Sequence, residues 1–349
     1  MSPSKTKNIA IVGSGMAGIA CARTLLQAGH RVSLFEQGPT SGGRMATQPS
    51  AFGSFDVGAQ YFTVRDARFE AALKTAPGLC KRWSANSVSV LDAHGQVTSN
   101  KASTRDAHWV PAPTMSSLLE QWAAPLRAQG GLLLDTGVTR LSRDALHPHQ
   151  WQLTTEGSGA AQRVYSGFDA VLLAIPAEPA RLLLNTSALT DRLTQALGRV
   201  QMAPCWTLML AFPQAMQPGL SSLGAQWNAA RSTHHRIAWL ARESSKPGRG
   251  AVERWTVQAS ASWSQEHLED DTARVQAKLH KAFSEITGIR AEPAYMESHR
   301  WRFAQTTEPL GQSHLWDART GIGVCGDWCL GQRVEDAFIS GLELALAVV

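Results

Sequence analysis

Gly13-Ser14-Gly15-Met16-Ala17-Gly18 is the stretch of the 349-residue chain whose residue types and spacing point most directly to chemistry. Gly13 permits a tight turn, Gly15 leaves the backbone bare for the approach of a pyrophosphate, and Gly18 lets a helix pack closely on a strand. The amides from Ser14 to Ala17, at the positive end of that helix, would hold the anion. Glu36, roughly 20 residues further on, is placed to accept both hydroxyls of an adenosine ribose. The motif requires a strand before it and a helix after it. The apolar run 9–12 reads as a buried parallel strand, and residues 16–28 carry Ile19, Ala22, Leu25 and Leu26 at helical spacing with Gly29 as the stop. Residues 31–36 read as a second strand. Such a unit binds a dinucleotide but does not by itself separate FAD from NAD.

The rest of the chain supplies the elements that must hold this unit. Residues 38–58 are rich in Gly, Ser, Pro and Thr and too long for a simple connection, which marks a functional loop. Residues 132–134 with Val138 following, 151–155 and 170–174 read as a meander returning to the first domain, stopped by Pro176. Residues 205–212 and 255–259 read as strands of a second sheet, and 271–287 as an amphipathic helix closed by Gly288. A strand over 321–325 and a helix over 335–349 close the chain. The expected fold is α/β in two domains, a Rossmann-type dinucleotide-binding domain with an inserted mixed-sheet substrate domain. The expected boundaries are 1–65, 131–176 and 301–349 for the first, and 66–130 and 177–300 for the second.

Hydrophobic residues at 44% and charged residues at 17% exclude a disordered chain. The net charge of +5 is spread without a run of like charge, which excludes a nucleic-acid face. Arg outnumbers Lys 25 to 8, and a planar guanidinium fork suits phosphates and carboxylates. Five cysteines without metal-type spacing argue against a disulfide scaffold or a metal site and fit a reducing cytoplasm. The basic start followed by an apolar stretch imitates a signal peptide, but Gly13, Gly15 and Gly18 interrupt it. No uncharged stretch reaches the ~18 residues that span a bilayer, so a soluble protein without a membrane partner is expected. Twelve Trp residues, none before Trp83, concentrate flat side chains in the substrate-domain interval.

Ser41-Gly42-Gly43-Arg44-Met45 resembles the loop that amine-oxidase-like flavoproteins place beside the flavin pyrophosphate, where a guanidinium bridges phosphate oxygens. Near the other end, Gly326-Asp327-Trp328 follows a strand and Arg333-Val334-Glu335-Asp336-Ala337 leads into the last helix. In that class such an Asp accepts a ribityl hydroxyl and the helix start faces flavin N1 and the C2 carbonyl. As plain structure, Glu335 and Asp336 would be first-turn acids that satisfy the helix. The blocks Asp56-Val57-Gly58-Ala59-Gln60-Tyr61-Phe62-Thr63, Trp239-Leu240-Ala241-Arg242, Ser245-Lys246-Pro247-Gly248-Arg249, Trp263-Ser264, His299-Arg300-Trp301 and Cys325-Gly326-Asp327-Trp328-Cys329 together resemble the bacterial renalases, from first strand to last helix.

That resemblance implies the amine-oxidase-like two-domain fold, akin in topology to p-hydroxybenzoate hydroxylase. It implies an FAD oxidase of dihydronicotinamide dinucleotides carrying hydride at C2 or C6. Hydride passes to flavin N5, and oxygen takes the electrons to give NAD(P)+ and hydrogen peroxide. The expected partners are thus a small dinucleotide and O2. Covalent members of the wider family attach FAD through a Cys upstream of the last strand; residues 308–317 contain none, so non-covalent FAD is expected. Carried over, the pattern puts Arg44, Gln60, Tyr61, Val138, Asp327 and Val334 at FAD, with Gln37, Gly43, Met45, Gly326 and Arg333 beside them. Tyr61, Phe62, Thr63, Val64, Arg65, Trp109, Val110, Pro111, Cys205 and Arg333 would border the substrate. Cys205 departs from the pattern, where a hydroxyl residue is more usual.

Oxidation of a dihydropyridine yields an aromatic ring, so the site needs orientation and charge placement more than a protein base. Two alternatives stand beside this reading. An amine oxidase of the same fold would need a Lys near flavin N5, and none of the eight lysines falls in a strand expected against the flavin; Lys246 reads as part of a Pro-Gly turn, Lys278 and Lys281 as solvated helix residues. A flavin- or nucleotide-binding protein without turnover is the other. Tyr61 and Phe62 divide evenly between ring stacking and core packing. Trp109, followed by Trp206, Trp301 and Trp328, is the candidate wall of a flat pocket. Adjacent His234 and His235 point apart and do not form a metal site. Cys325 and Cys329 read as small buried hydrophobes.

Overall fold

The computed structural model describes residues 6–83, 88–100, 106–157, 160–189, 192–216 and 227–349. In chain order, β1 (Asn8–Val12), α1 (Met16–Gln27) and β2 (Arg31–Phe35) open it, followed by the hairpin β3 (Thr47–Ser50) and β4 (Gly53–Asp56) and the short helix α2 (Ala67–Leu73). Then come β5 (Cys80–Arg82), β6 (Val88–Leu91), β7 (Val97–Asn100), β8 (Trp109–Pro111), α3 (Ser117–Ala128), β9 (Leu132–Leu133), β10 (Gly137–Arg143), β11 (Trp151–Gly157), β12 (Ala160–Phe168) and β13 (Ala170–Leu173). The second half holds α4 (Ala177–Thr186), α5 (Arg192–Leu197), β14 (Gln201–Phe212), β15 (Ala229–Ser232), β16 (Ile237–Arg242), β17 (Glu253–Ala259), α6 (Ala261–Glu266) and α7 (Thr272–Thr287). It ends with β18 (Tyr295–Glu308), β19 (Leu315–Asp317), β20 (Ile322–Val324) and α8 (Val334–Val348).

The first sheet has the order β19-β20-β13-β1-β2-β9, parallel except for the β19 edge. Alternate residues of its central strands enter opposite cores, as the two-residue strand period requires. Ile9 and Ile11 face α1, α3 and α8, while Ala10 and Val12 face α4, α5 and the β10-β11-β12 sheet. A strand buried on both faces has to be apolar throughout, which is why 9–12 carries no polar residue. The second sheet has the order β18-β14-β17-β16-β15-β6-β7, antiparallel except between β15 and β6. Its strand β14 divides likewise: Leu208, Leu210 and Phe212 pack under α7, while Met209 and Ala211 pack against Phe55 and Val57. Helix α7 has its expected ends, with the Asp271 carboxylate accepting from the amides of Ala273 and Arg274 and Gly288 left-handed at φ 73°.

Two expectations change. Residues 132–133 and 170–173 are strands of the first sheet, and only β10, β11 and the unforeseen β12 form the meander. The 14-residue β18 escaped sequence reading because it is a half-buried edge strand with no clean alternation. Helix α3 packs on α1 and helices α4 and α5 pack beneath the first sheet, although the expected boundaries group these segments with the second. No helix among the described residues is long and apolar enough to cross a membrane. Nor do three His, Cys, Asp or Glu side chains converge as metal ligands there.

Candidate active site

Strand β1 is followed by Gly13, whose φ of 101° is open to glycine and strained for other residues. A Cβ on Gly18 would stand 1.9 Å from the Gly13 carbonyl oxygen, so Gly18 is what lets α1 start against the strand end. Above Gly15 the space is open: a Cβ there would meet only the Gly43 Cα, at 3.9 Å. Gly15 caps α1 without a side-chain bond, and no acid occupies the first turn. Two glycine loops thus lie against each other beside unopposed helix N–H groups, a cradle suited to a pyrophosphate. Ser41 Oγ, buried beside this cradle, has no partner among the described residues and is a further donor for a ligand.

Glu36 sits at the mouth of the cradle. Its Oε2 accepts from the Ser14 amide at 2.9 Å and the Ser14 hydroxyl at 2.8 Å, and its Oε1 from the Gly38 amide at 2.9 Å. The Thr136 amide donates to the Glu36 carbonyl, which brings Gln37, Gly137 and Val138 to the same end. Met16, Ala17 and Met45 are buried behind the loops. On the other side, the Arg44 guanidinium grips both oxygens of Asp327, with Nη1 to Oδ2 at 2.7 Å. Asp327 follows β20 and Gly326, whose amide donates to Ser340 Oγ of α8 at 2.9 Å. The predicted FAD residues therefore form one continuous line, from Glu36 through the glycine loops and Arg44 to Asp327.

Helix α8 begins beside this line. Arg333 caps it, with Asp336 Oδ2 accepting from the Arg333 amide at 3.0 Å, and Val334 opens the first turn. The buried Glu335 Oε1 accepts from the amides of Arg65 and Asp66 at 2.6 and 2.7 Å, which ties the Tyr61–Arg65 segment to the helix start. Thus Glu335 and Asp336 do satisfy backbone groups, and Glu335 also fixes the neighbouring wall.

The wall itself differs from the sequence expectation. Tyr61 is half-buried, with its ring centroid 4.0 Å from His108, 5.8 Å from Trp239 and 6.3 Å from Trp83. Burial and then the Arg231 guanidinium hold His108 below the ordinary imidazole value, so it is neutral at neutral pH. The Trp239 indole N–H is buried without a partner among the described residues. Phe62, by contrast, is core: it packs on Phe69 at 5.5 Å and only its backbone reaches Trp109. Val110 and Pro111 are buried in β8, and Thr63, Val64 and the half-buried Trp109 remain near Tyr61 in sequence and strand pairing. Cys205 lies within β14 with Sγ directed at the Ala259 carbonyl, and burial pushes its thiol up to about 12. Trp206 and Trp328 are buried with their N–H groups tied to the carbonyls of His267 and Ile175, so they are packing residues rather than pocket walls. Trp301 anchors the Val57 carbonyl at 2.9 Å.

Charge around the wall comes from Arg65, paired with Asp106, from Arg333, paired with Glu335 and Asp336, and from Arg231, 6.0 Å from the Trp239 ring. Arg65 and Arg333 are 58% and 41% exposed, while Glu335 and Asp336 are 3% and 10% exposed. With Asp106 at 22%, the guanidinium is the more exposed partner in each pair.

Lys246 sits in the turn expected of it, but its side chain is fully buried. Its ammonium donates to Asp56 Oδ2 at 2.9 Å, Gln60 Oε1 at 3.0 Å and Glu243 Oε1 at 2.8 Å. Arg249 Nη2 donates to Asp56 Oδ2 at 2.7 Å. Burial alone would raise Asp56, but Lys246 and Arg249 outweigh it and hold the carboxyl below its usual range. Burial raises the Glu243 carboxyl. Sequence spacing carries no signal for this cluster beyond the co-occurrence of its two blocks.

Residues 11–76 match the NAD(P)-binding Rossmann-like domain and residues 99–349 match the flavin containing amine oxidoreductases. Among curated proteins, the chain is 43% identical over 58 residues to hydroxyneurosporene desaturase of Cereibacter sphaeroides. It is 31% identical over 203 residues to the tRNA 5-methylaminomethyl-2-thiouridine biosynthesis bifunctional protein of Magnetococcus marinus. These matches take in 17% and 48% of this chain and span only 12% and 29% of the relatives' lengths. Among solved structures, a provisionally assigned protoporphyrinogen oxidase from Exiguobacterium sp. superposes with a TM-score of 0.73 at 16% identity. Cyclohexylamine oxidase from Brevibacterium oxydans gives 0.72 at 13% identity, each covering 99% of both chains.

Proposed function

The chain belongs to the flavin-containing amine oxidoreductases, and from that premise we propose that it oxidises dihydronicotinamide dinucleotides bearing hydride at C2 or C6. The net reaction converts the dihydro-dinucleotide, O2 and one proton to NAD(P)+ and hydrogen peroxide. The cofactor is FAD, and the glycine cradle, Glu36, Arg44 and Asp327 fit its pyrophosphate, ribose and ribityl groups. FAD, when bound, supplies the hydride acceptor. The chain's own residues orient the substrate.

The observation that carries the reading is the tilted aromatic wall of Tyr61, His108 and Trp239 beneath accessible guanidinium groups. A flat, neutral dihydropyridine joined to phosphates is complementary to that pairing: the ring stacks and the phosphates meet Arg65, Arg231 and Arg333. A His108 held below the ordinary imidazole value adds no positive charge beside the pyridinium that oxidation produces. Aerobic incubation with an equilibrated pool of NADH isomers tests it, with NAD+ and peroxide expected in equal amounts from the minor isomers. Peroxide that does not depend on them overturns it.

A second reading, oxidation of an amine, draws support from the family and from Lys246, a buried lysine bonded to Gln60. Accessible guanidinium charge at the wall works against a protonated amine.

A further inference from the structure

The buried quartet of Asp56, Glu243, Lys246 and Arg249 is not used by the dihydronicotinamide reading, yet it reaches the cofactor line through the Gln60 side chain. All three ammonium protons of Lys246 are used, on Asp56, Gln60 and Glu243. The contact to Gln60 decides the orientation of that side chain. Gln60 Oε1 faces the ammonium, and Nε2 donates to the carbonyls of Asp56 and, at 3.1 Å, Gly58. A flipped amide would set N–H groups against the ammonium and oxygen against two carbonyls, so only one orientation survives.

The loop that Gln60 closes lies directly on the Arg44 turn. The Ala59 amide donates to the Arg44 carbonyl at 2.8 Å, and a Cβ on Gly58 would stand 2.1 Å from the same oxygen. On the other side, Lys246 sits 5.6 Å from the Trp83 ring, and its neighbour Ser245 accepts from the Trp83 indole N–H at 3.0 Å. Gln60 and Trp83 flank Tyr61. One turn of chain, 243–249, therefore sets both neighbours of Tyr61 and the support of Arg44.

We propose that Lys246 is a positioning residue for FAD: its ammonium locks the Gln60 amide and thereby holds loop 56–61 against the Arg44 turn. Burial of four charges is otherwise a poor route to stability, since desolvation offsets much of the attraction. The quartet instead specifies one arrangement. The inference rests on FAD lying along the Arg44 line and is independent of which substrate is oxidised.

A double-mutant cycle on the FAD dissociation constant, with apo-protein stability measured in parallel, tests it. Lys246→Met and Gln60→Leu are each expected to weaken FAD about 10-fold, and the double variant no more than the weaker single, because both remove one coupling. The charge-balanced Lys246→Met with Glu243→Gln, which keeps the cluster neutral, is read the same way and guards against simple unfolding. Multiplicative losses in the double variant overturn the proposal. So does unchanged FAD affinity in a Lys246 variant whose only defect is lower apo stability. Intact FAD coupling in a protein that ignores dihydronicotinamides would sink the substrate reading alone.

Discussion

Arg44 and Asp327, 283 residues apart in the chain, form a two-pronged ion pair that joins the glycine loop after β2 to the turn after β20. The pair closes the line proposed to bind FAD, with Arg44 partly open to solvent and Asp327 buried at 28% and 6% exposure. A guanidinium so held has donors to spare for phosphate oxygens.

Arg44→Ala is therefore expected to release FAD. Hydrogen bonds to charged groups contribute roughly 1.5–3 kcal/mol, which corresponds to about 10- to 150-fold in affinity. The flavin-to-protein absorbance ratio after purification, followed by equilibrium dialysis, measures it. Full flavin occupancy would remove Arg44 from the site.

Two glycines of the same motif should fail in opposite ways. Gly15→Ala adds a methyl that meets the Gly43 Cα only at ordinary contact distance, so the apo-protein should unfold at unchanged denaturant while FAD affinity drops at least ~10-fold. Gly18→Ala would drive a methyl into the Gly13 carbonyl and should destabilise the apo-protein by about 1–3 kcal/mol. Denaturant midpoints and FAD titrations on both variants separate the cradle from the packing contact.

Acid stability should depend on Asp56. Its carboxyl titrates below its unfolded value, so its contribution is complete above the ordinary carboxylate range near ~4 and is lost as pH falls through the lower folded value. Asp56→Asn strands Lys246 and Arg249 and should cost about 3–5 kcal/mol at neutral pH. The gap to the wild type should narrow on acidification below pH ~4. Denaturant unfolding of both proteins across that range gives the answer, and a gap that widens in acid would reverse the assignment.

Arg231→Ala should raise KM for the dinucleotide several-fold, leave kcat nearly unchanged, and flatten the salt dependence of kcat/KM, since an exposed guanidinium acts by attracting phosphate. Steady-state kinetics at two ionic strengths detect this. A loss confined to kcat would place Arg231 elsewhere in the mechanism.

The cofactor half of the site was legible because its signals are local. A strand, three glycines, a helix and Glu36 lie within one unit, and each residue type is dictated by backbone geometry that spacing alone encodes. The Arg44 and Asp327 loops needed family resemblance, because their pairing spans the chain. The wall was read less well. Phe62, Trp206 and Trp328 looked equivalent to wall residues in sequence, and only burial separates them from the half-buried Tyr61 and Trp239. Lys246 is the clearest case. A lysine in a Pro-Gly turn is ordinarily solvated, and its burial is fixed by Asp56 and Glu243, one of them 190 residues away.

The central claim, oxidation of a misplaced-hydride dinucleotide on a flat, guanidinium-rimmed wall, is tested most directly by anaerobic mixing of the FAD-loaded protein with separated 2-, 4- and 6-dihydro isomers, with simple amines as the comparison. Rapid loss of oxidised-flavin absorbance with a 2- or 6-dihydro isomer, and none with amines, is the predicted result. Bleaching by an amine with none by these isomers would contradict it.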